Sequence, residues 1–203
     1  MRVIYKNTER VRRAVAVLSN TIYPLWYLEM VYSSKQYPFL LNNAGVEIDL
    51  DKGFAKCKEL GRLPLETIFW IIDIEPLIMV ESSKGHSRDD VIIRLQGVIE
   101  DLSGLTNVKV IINNPSFELW LQLHFDTLSI AFQTTVERVE NRIKECIPGY
   151  CKELQFYKGD NIFNKTQANL GAAKIHAASL MEPDFPDLKM ARTMMPLVLD
   201  MFA

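Results

Sequence analysis

Three carboxylates stand in this sequence where a divalent cation could use them. Asp73 and Glu75 close the apolar run Thr67 to Ile72 in the order Asp73-Ile74-Glu75-Pro76. In extended chain, residues i and i+2 point to one side, and ligands collect at the carboxyl ends of buried parallel strands. Two carboxylates so placed repel each other unless a cation lies between them, and hard oxygen donors suit Mg2+ or Mn2+. Such an ion clamps phosphate oxygens and activates water. The plainer alternative is an acidic strand end that meets solvent. The third acid, Glu118, lies in Asn114-Pro115-Ser116-Phe117-Glu118-Leu119-Trp120-Leu121-Gln122-Leu123-His124-Phe125. Asn114 reads as an N-cap and Pro115 as a first helical residue. The helix expected over 116–125 is apolar on nearly every face and therefore buried. A carboxylate inside it needs a partner, a hydrogen-bond network or a metal. One turn in from the sheet edge, Glu118 is expected to converge with Asp73 and Glu75. The alternative is that Glu118 caps backbone amides or pairs with an arginine. His124 is better read as a hydrogen-bonded core histidine than as a ligand.

Basic residues supply the other half of a phosphate site. Arg2, Lys6, Arg10, Arg12 and Arg13 form the densest basic cluster, with Glu9 opposed to them. Lys6 and Arg10 could face a phosphate backbone near the acids. Arg12 and Arg13 read as a solvated face, with Glu9 and Arg13 an ordinary i, i+4 pair. Lys158 could likewise hold a phosphate, or simply be an exposed lysine.

The elements that must position these groups alternate between β-rich runs and helical patterns, the mark of an α/β sheet. Val3-Ile4-Tyr5 reads as a first strand. Thr8 starts a helix whose apolar residues are Val11, Ala14, Val15, Leu18 and Ile22. A second helix follows Pro24 through Tyr32, and Val46 to Ile48 is a short strand. Asp51 to Leu60 is a helix closed by Gly61. Thr67 to Ile72 is the strongest strand, apolar without alternation, as in a central strand covered on both faces. Glu81 to Asp90 reads as a polar loop, Val91 to Ile99 as a helix and Val108 to Ile112 as the next buried strand. Three helical patterns follow: Phe132 to Ile143, Ile162 to Leu180, and Leu188 to Phe202 with Pro196 as a start or kink. Residues 1–203 are read as one domain in which 131–203 is mainly helical.

Composition bounds the partners. The chain has 203 residues, 48% apolar and 24% charged, which excludes collagen-like, mucin-like and disordered classes. A formal charge of −2 gives no global field that attracts nucleic acid. Cys57, Cys146 and Cys151 lack the spacing of a zinc or redox motif and read as reduced thiols. No apolar stretch approaches the roughly 20 residues that cross a bilayer. The charged start MRVIYKNTERVRR is no secretion signal. A cytoplasmic protein away from membranes is expected.

The segment Asn114-Pro115-Ser116-Phe117-Glu118-Leu119-Trp120, with Leu123-His124-Phe125 after it, resembles the N-P-x-F-E-x-W…H-F signature of RloB-like proteins. These include a component of abortive-infection systems of the AbiL type. The family's aspartate pair at the end of a central strand corresponds to Asp73-Ile74-Glu75. Its late tyrosine-lysine segment resembles Tyr157-Lys158-Gly159-Asp160-Asn161-Ile162. The resemblance implies a Toprim-like three-layer α/β domain with a mostly parallel sheet and a helical C-terminal portion. It also implies Mg2+ or Mn2+ chemistry on phosphodiesters and an antiphage role beside a partner ATPase. That ATPase would be another chain, because this one has no G-x-x-x-x-G-K-[ST] loop. On this basis Asp73, Glu75 and Glu118 are candidate metal ligands. Glu118 or Glu9 would move a proton, and Lys6 or Lys158 would hold the phosphate. The chain departs from the pattern at its start. The family's first strand ends in an acid–glycine pair with Thr-Glu soon after; here Lys6-Asn7 precede Thr8-Glu9. Two classes remain open: a metal-dependent nuclease of a defence system, and a non-catalytic Toprim-like module that binds a partner protein or nucleic acid. A third is a fold relative acting on another phosphate substrate.

Overall fold

Strand order places the acid-bearing strand inside the sheet. The computed structural model describes residues 13–126, 134–159, 161–180 and 190–203. The expected strand Val3-Ile4-Tyr5, Lys6, Thr8 and Glu9 lie outside the described residues. The strands are β1 (Arg13–Ser19), β2 (Phe39–Val46), β3 (Thr67–Asp73), β4 (Val108–Asn114) and β5 (Arg192–Thr193). They form a five-stranded sheet in the order β2-β1-β3-β4-β5. The first four are parallel, and β5 runs antiparallel to β4. The fold class is therefore α/β with a mostly parallel sheet, as expected.

Continuous apolar runs make the inner strands because each residue faces one of two covered sides. Val15, Val17, Phe69, Ile71 and Ile111 enter one core with α1 (Tyr23–Ser33), α5 (Glu118–Gln122) and the C-terminal helices. Ala16, Leu18, Ile68, Trp70 and Ile72 enter the other, against α2 (Leu50–Gly61), α3 (Ile74–Ser83) and α4 (Arg88–Leu102). The helix expected from Thr8 through Ile22 is corrected here. From Arg13 to Ser19 the chain is a strand, because Ala16 and Val17 complete an unbroken apolar run and erase the helical stripe. The strand expected at Val46–Ile48 ends where it was expected to begin. Gly45, at φ +95°, lies at an irregularity in register, where Val17 pairs with Asn43 and Leu18 with Gly45 and Ala44 is passed over.

Two further boundaries move. Glu81 is not in a loop: α3 continues through Ser83 and Glu81 is buried. Its carboxylate is held by Arg94 at 2.8 Å and Lys84 at 2.7 Å, which joins α3 to α4. Burial pushes its pKa up, and the bonds from Lys84 and Arg94 outweigh that and hold it low. The helix expected over 162–180 divides into α7 (Ile162–Thr166), a 3-10 turn at Gln167–Asn169 and α8 (Leu170–Ser179). α6 (Val136–Cys146) buries Val139 and Ile143 as its spacing implies, and α9 (Met195–Leu199) has Pro196 in its first turn. Among the described residues, no helix is long and apolar enough to cross a membrane.

Gly53 of α2 lies flat against Trp70: a β-carbon there would stand 2.5 Å from Trp70 Cζ2. Gly97, inside α4, has open space around it. Gly53→Ala should destabilise the protein by about 1–3 kcal/mol through overpacking. Gly97→Ala should stabilise it by about 0.5–1 kcal/mol through helix propensity. Urea unfolding of the two variants beside wild type checks both signs.

Candidate functional site: buried carboxylates at the carboxyl edge of the sheet

Asp73 is the last residue of β3 and is 1% exposed. Its side-chain hydrogen-bond partners come from neighbouring strand ends. Asn20, just beyond β1, clamps its backbone: Asp73 N–H donates to Asn20 Oδ1 at 2.8 Å, and Asn20 Nδ2 donates to the Asp73 carbonyl at 2.8 Å. Thr21 donates its hydroxyl to Oδ2 at 2.6 Å, and Asn113 of β4 donates to Oδ1 at 3.0 Å. Asn113 is held in turn by the Thr193 hydroxyl of β5 at 2.7 Å. The parallel register makes this possible, since Asp73 sits directly opposite Asn113. Burial pushes the Asp73 carboxyl up to about 7, and the charge of Glu118 adds to the shift; the bonds from Thr21, Asn113 and the Phe117 amide oppose it.

Glu118 is fully buried at the start of α5. Asn114 is not its helix cap as expected. The strand continues through Asn114, the Asn114–Pro115 bond is cis, and regular helix begins only at Glu118 after Phe117. The Ser116 hydroxyl donates to Glu118 Oε2 at 2.5 Å. Lys152 Nζ lies 3.0 Å from Oε1, and the Tyr150 hydroxyl donates to the same oxygen at 3.3 Å. Lys152 also pairs with Glu140 at 2.5 Å and sits over the Tyr23 ring at 5.0 Å. Burial works against the lysine's charge, but Glu118 and Glu140 overcome it and raise its pKa. Burial and the charge of Glu118 raise the Tyr150 phenol, whose oxygen is 3.0 Å from that of Tyr157.

The other candidates go elsewhere. Glu75 is not extended beside Asp73, because α3 begins at Ile74 and turns it away into the first helical turn. There it pairs with Arg88 at 2.6 Å. Lys158 sits on a π-helical turn over Gln155–Gly159 and pairs with Glu29 at 2.5 Å. Lys6 and Glu9 lie outside the described residues. His124 is buried, with Nδ1 2.9 Å from the Trp120 carbonyl, and burial lowers its pKa to about 4: it is a core histidine.

The donor set does not fit the divalent ion that the resemblance implied. Asp73 and Glu118 approach closely enough to interact, but each carboxylate oxygen already accepts a hydrogen bond from the chain, and Glu75 belongs to Arg88. Among the described residues, no three His, Cys, Asp or Glu side chains are grouped to hold a metal. Sequence reading missed Ser19-Asn20-Thr21, Asn113, Tyr150 and Lys152. The polar triplet directly after the Ala14 to Leu18 run was the available signal, hidden by the helical assignment of that segment.

Residues 13–200 match the family model described as RloB-like protein. No curated protein and no solved structure matches the chain. Lys6 to Glu9 precede the matched segment. Among the described residues the first strand is β1, which ends at Ser19 with Asn20 directly after it.

Asp73 makes stability pH-dependent with a definite sign. Its folded pKa lies above the unfolded value of about 3.9. Between about pH 4 and 7 the folded protein keeps a proton that the unfolded chain has released, so stability falls as pH rises through that window. Urea unfolding at the two ends of the window should show this decline in wild type and a flatter profile in Asp73→Asn.

Proposed function

We propose that this chain, which belongs to the RloB-like protein family, serves in a bacterial antiphage system as a Toprim-like module that docks a partner protein and cleaves no phosphodiester itself. The end of β1 carries the argument. Metal-dependent phosphoryl chemistry at a strand edge needs ionised carboxylates facing one space. At the centre of this edge Asn20 and Thr21 bind Asp73 as neutral hydrogen-bonding residues, and Asp73 is pushed toward protonation. A carboxyl whose two oxygens are both taken by hydrogen bonds from neighbouring strand ends holds those strands together.

A protein partner fits the surface better than nucleic acid. The chain carries a formal charge of −2, and Arg13, Arg88, Arg94, Arg142, Lys158 and Lys174 are each matched by a carboxylate. Met79, Ile93 and Ile175 are 73%, 65% and 71% exposed, the kind of apolar side chain that a protein interface covers. An ATPase supplied by another chain is the partner that the family resemblance suggests. One observation favours the nuclease reading: Asp73 and Glu118 lie near enough for the charge of one to shift the other, a repulsion that a cation would relieve.

Incubation with single- and double-stranded DNA and RNA separates the two. With Mg2+, Mn2+ or chelator, wild type and Asp73→Asn should leave every substrate equally intact. Metal-dependent cleavage that disappears in Asp73→Asn would overturn the module and establish the nuclease.

A further inference from the structure

We infer that Lys152 is the resident cation of the carboxylate centre, supplying from within the chain the positive charge that a divalent ion would otherwise bring to Glu118. The inference rests on the non-catalytic reading and gives it a cause. A fully buried carboxylate must find compensating charge or protons. Glu118 finds it in an ammonium 3.0 Å away, on a side chain 29% exposed.

Three groups of the chain hold the ammonium. It lies between Glu118 Oε1 and Glu140 Oε1, the latter at 2.5 Å, and over the face of Tyr23 at 5.0 Å. An ammonium has three protons to give, and the two carboxylates with the aromatic face surround it. The chain around it is fixed as well. Tyr150, two residues earlier, donates to the same Glu118 oxygen and contacts the Tyr157 hydroxyl at 3.0 Å. Tyr157 packs against Tyr23 and Trp26 of α1. The turn that carries Lys152 is thus anchored to α1 and α5, and the ammonium is delivered to one place. A divalent ion approaching Glu118 would meet a positive charge already seated there. Removal of that charge, with the length of the side chain kept, should leave Glu118 and Glu140 facing each other without a counter-ion, and beside them Asp73.

The test is Mn2+ titration by calorimetry of the full chain as wild type, Lys152→Met, Lys152→Arg and the double variant Lys152→Met/Glu118→Gln, with near-ultraviolet circular dichroism as the folding control. Lys152→Met should bind Mn2+ roughly tenfold or more tighter than wild type. Lys152→Arg should behave as wild type, and the added Glu118→Gln should abolish the gain. A folded Lys152→Met that takes up no more Mn2+ than wild type overturns the inference. Should Lys152→Met fail to fold, the wild-type protein decides. With 15N-labelled lysine, the Lys152 Nζ resonance should stay sharp as Mn2+ is added, and selective paramagnetic broadening of that resonance overturns the inference. The two proposals fail separately: a Lys152→Met that gains no metal leaves the docking module standing, whereas metal-dependent cleavage by wild type removes it.

Discussion

A carboxylate taken out of water must be paired with a cation, saturated with hydrogen bonds or protonated, and the interior of this chain uses all three. Glu81 takes the first course with Arg94 and Lys84, locking α3 to α4. Glu118 combines the first and second, with Lys152 on one oxygen and the Ser116 hydroxyl on the other. Asp73 combines the second and third, bonded by Thr21 and Asn113 and shifted toward its neutral form. The apolar environment forces the choice. α5 is buried along its length between Phe117 and Leu123, and Glu118 is fully buried within it.

The sheet turns these local solutions into one network. Parallel strands in register bring their carboxyl ends to one edge, so polar residues that follow each apolar run become neighbours. Asn20 and Thr21 after β1, Asp73 on β3, Asn113 on β4 and Thr193 on β5 form a hydrogen-bonded line across the sheet. The same edge could have presented acids to a metal. Neutral donors in this line tie the strand ends together.

Much of the scaffold was legible in the residues. The Thr67 to Asp73 strand, the helix after Pro24 and the burial of the Phe117 to Leu123 segment followed from periodicity and Pro placement. Where the reading failed, one pattern satisfied two periods. Val11, Ala14, Val15 and Leu18 fit a helical stripe, but Val15, Ala16, Val17 and Leu18 are all buried in succession, which only a strand covered on both faces achieves. The helical assignment of that segment hid β1 and, with it, Ser19-Asn20-Thr21. Asp73 and Glu118 were found because an acid in an apolar setting is conspicuous. Glu75 was misplaced because strand β3 gives way to helix one residue after Asp73, ending the extended geometry that would have kept the pair together. Lys152 could not be found by spacing. It reaches Glu118 only through the fold, across 34 positions of sequence, and surface lysines look alike until one of them is inside.

The central claim is that the chain neutralises its own buried acids and leaves no vacancy for a metal. Anomalous diffraction from crystals soaked in Mn2+ measures this directly. The account predicts no anomalous peak within bonding reach of Asp73 or Glu118, with the Lys152 ammonium still on Glu118. A peak coordinated by either carboxylate, with Lys152 displaced, would contradict it.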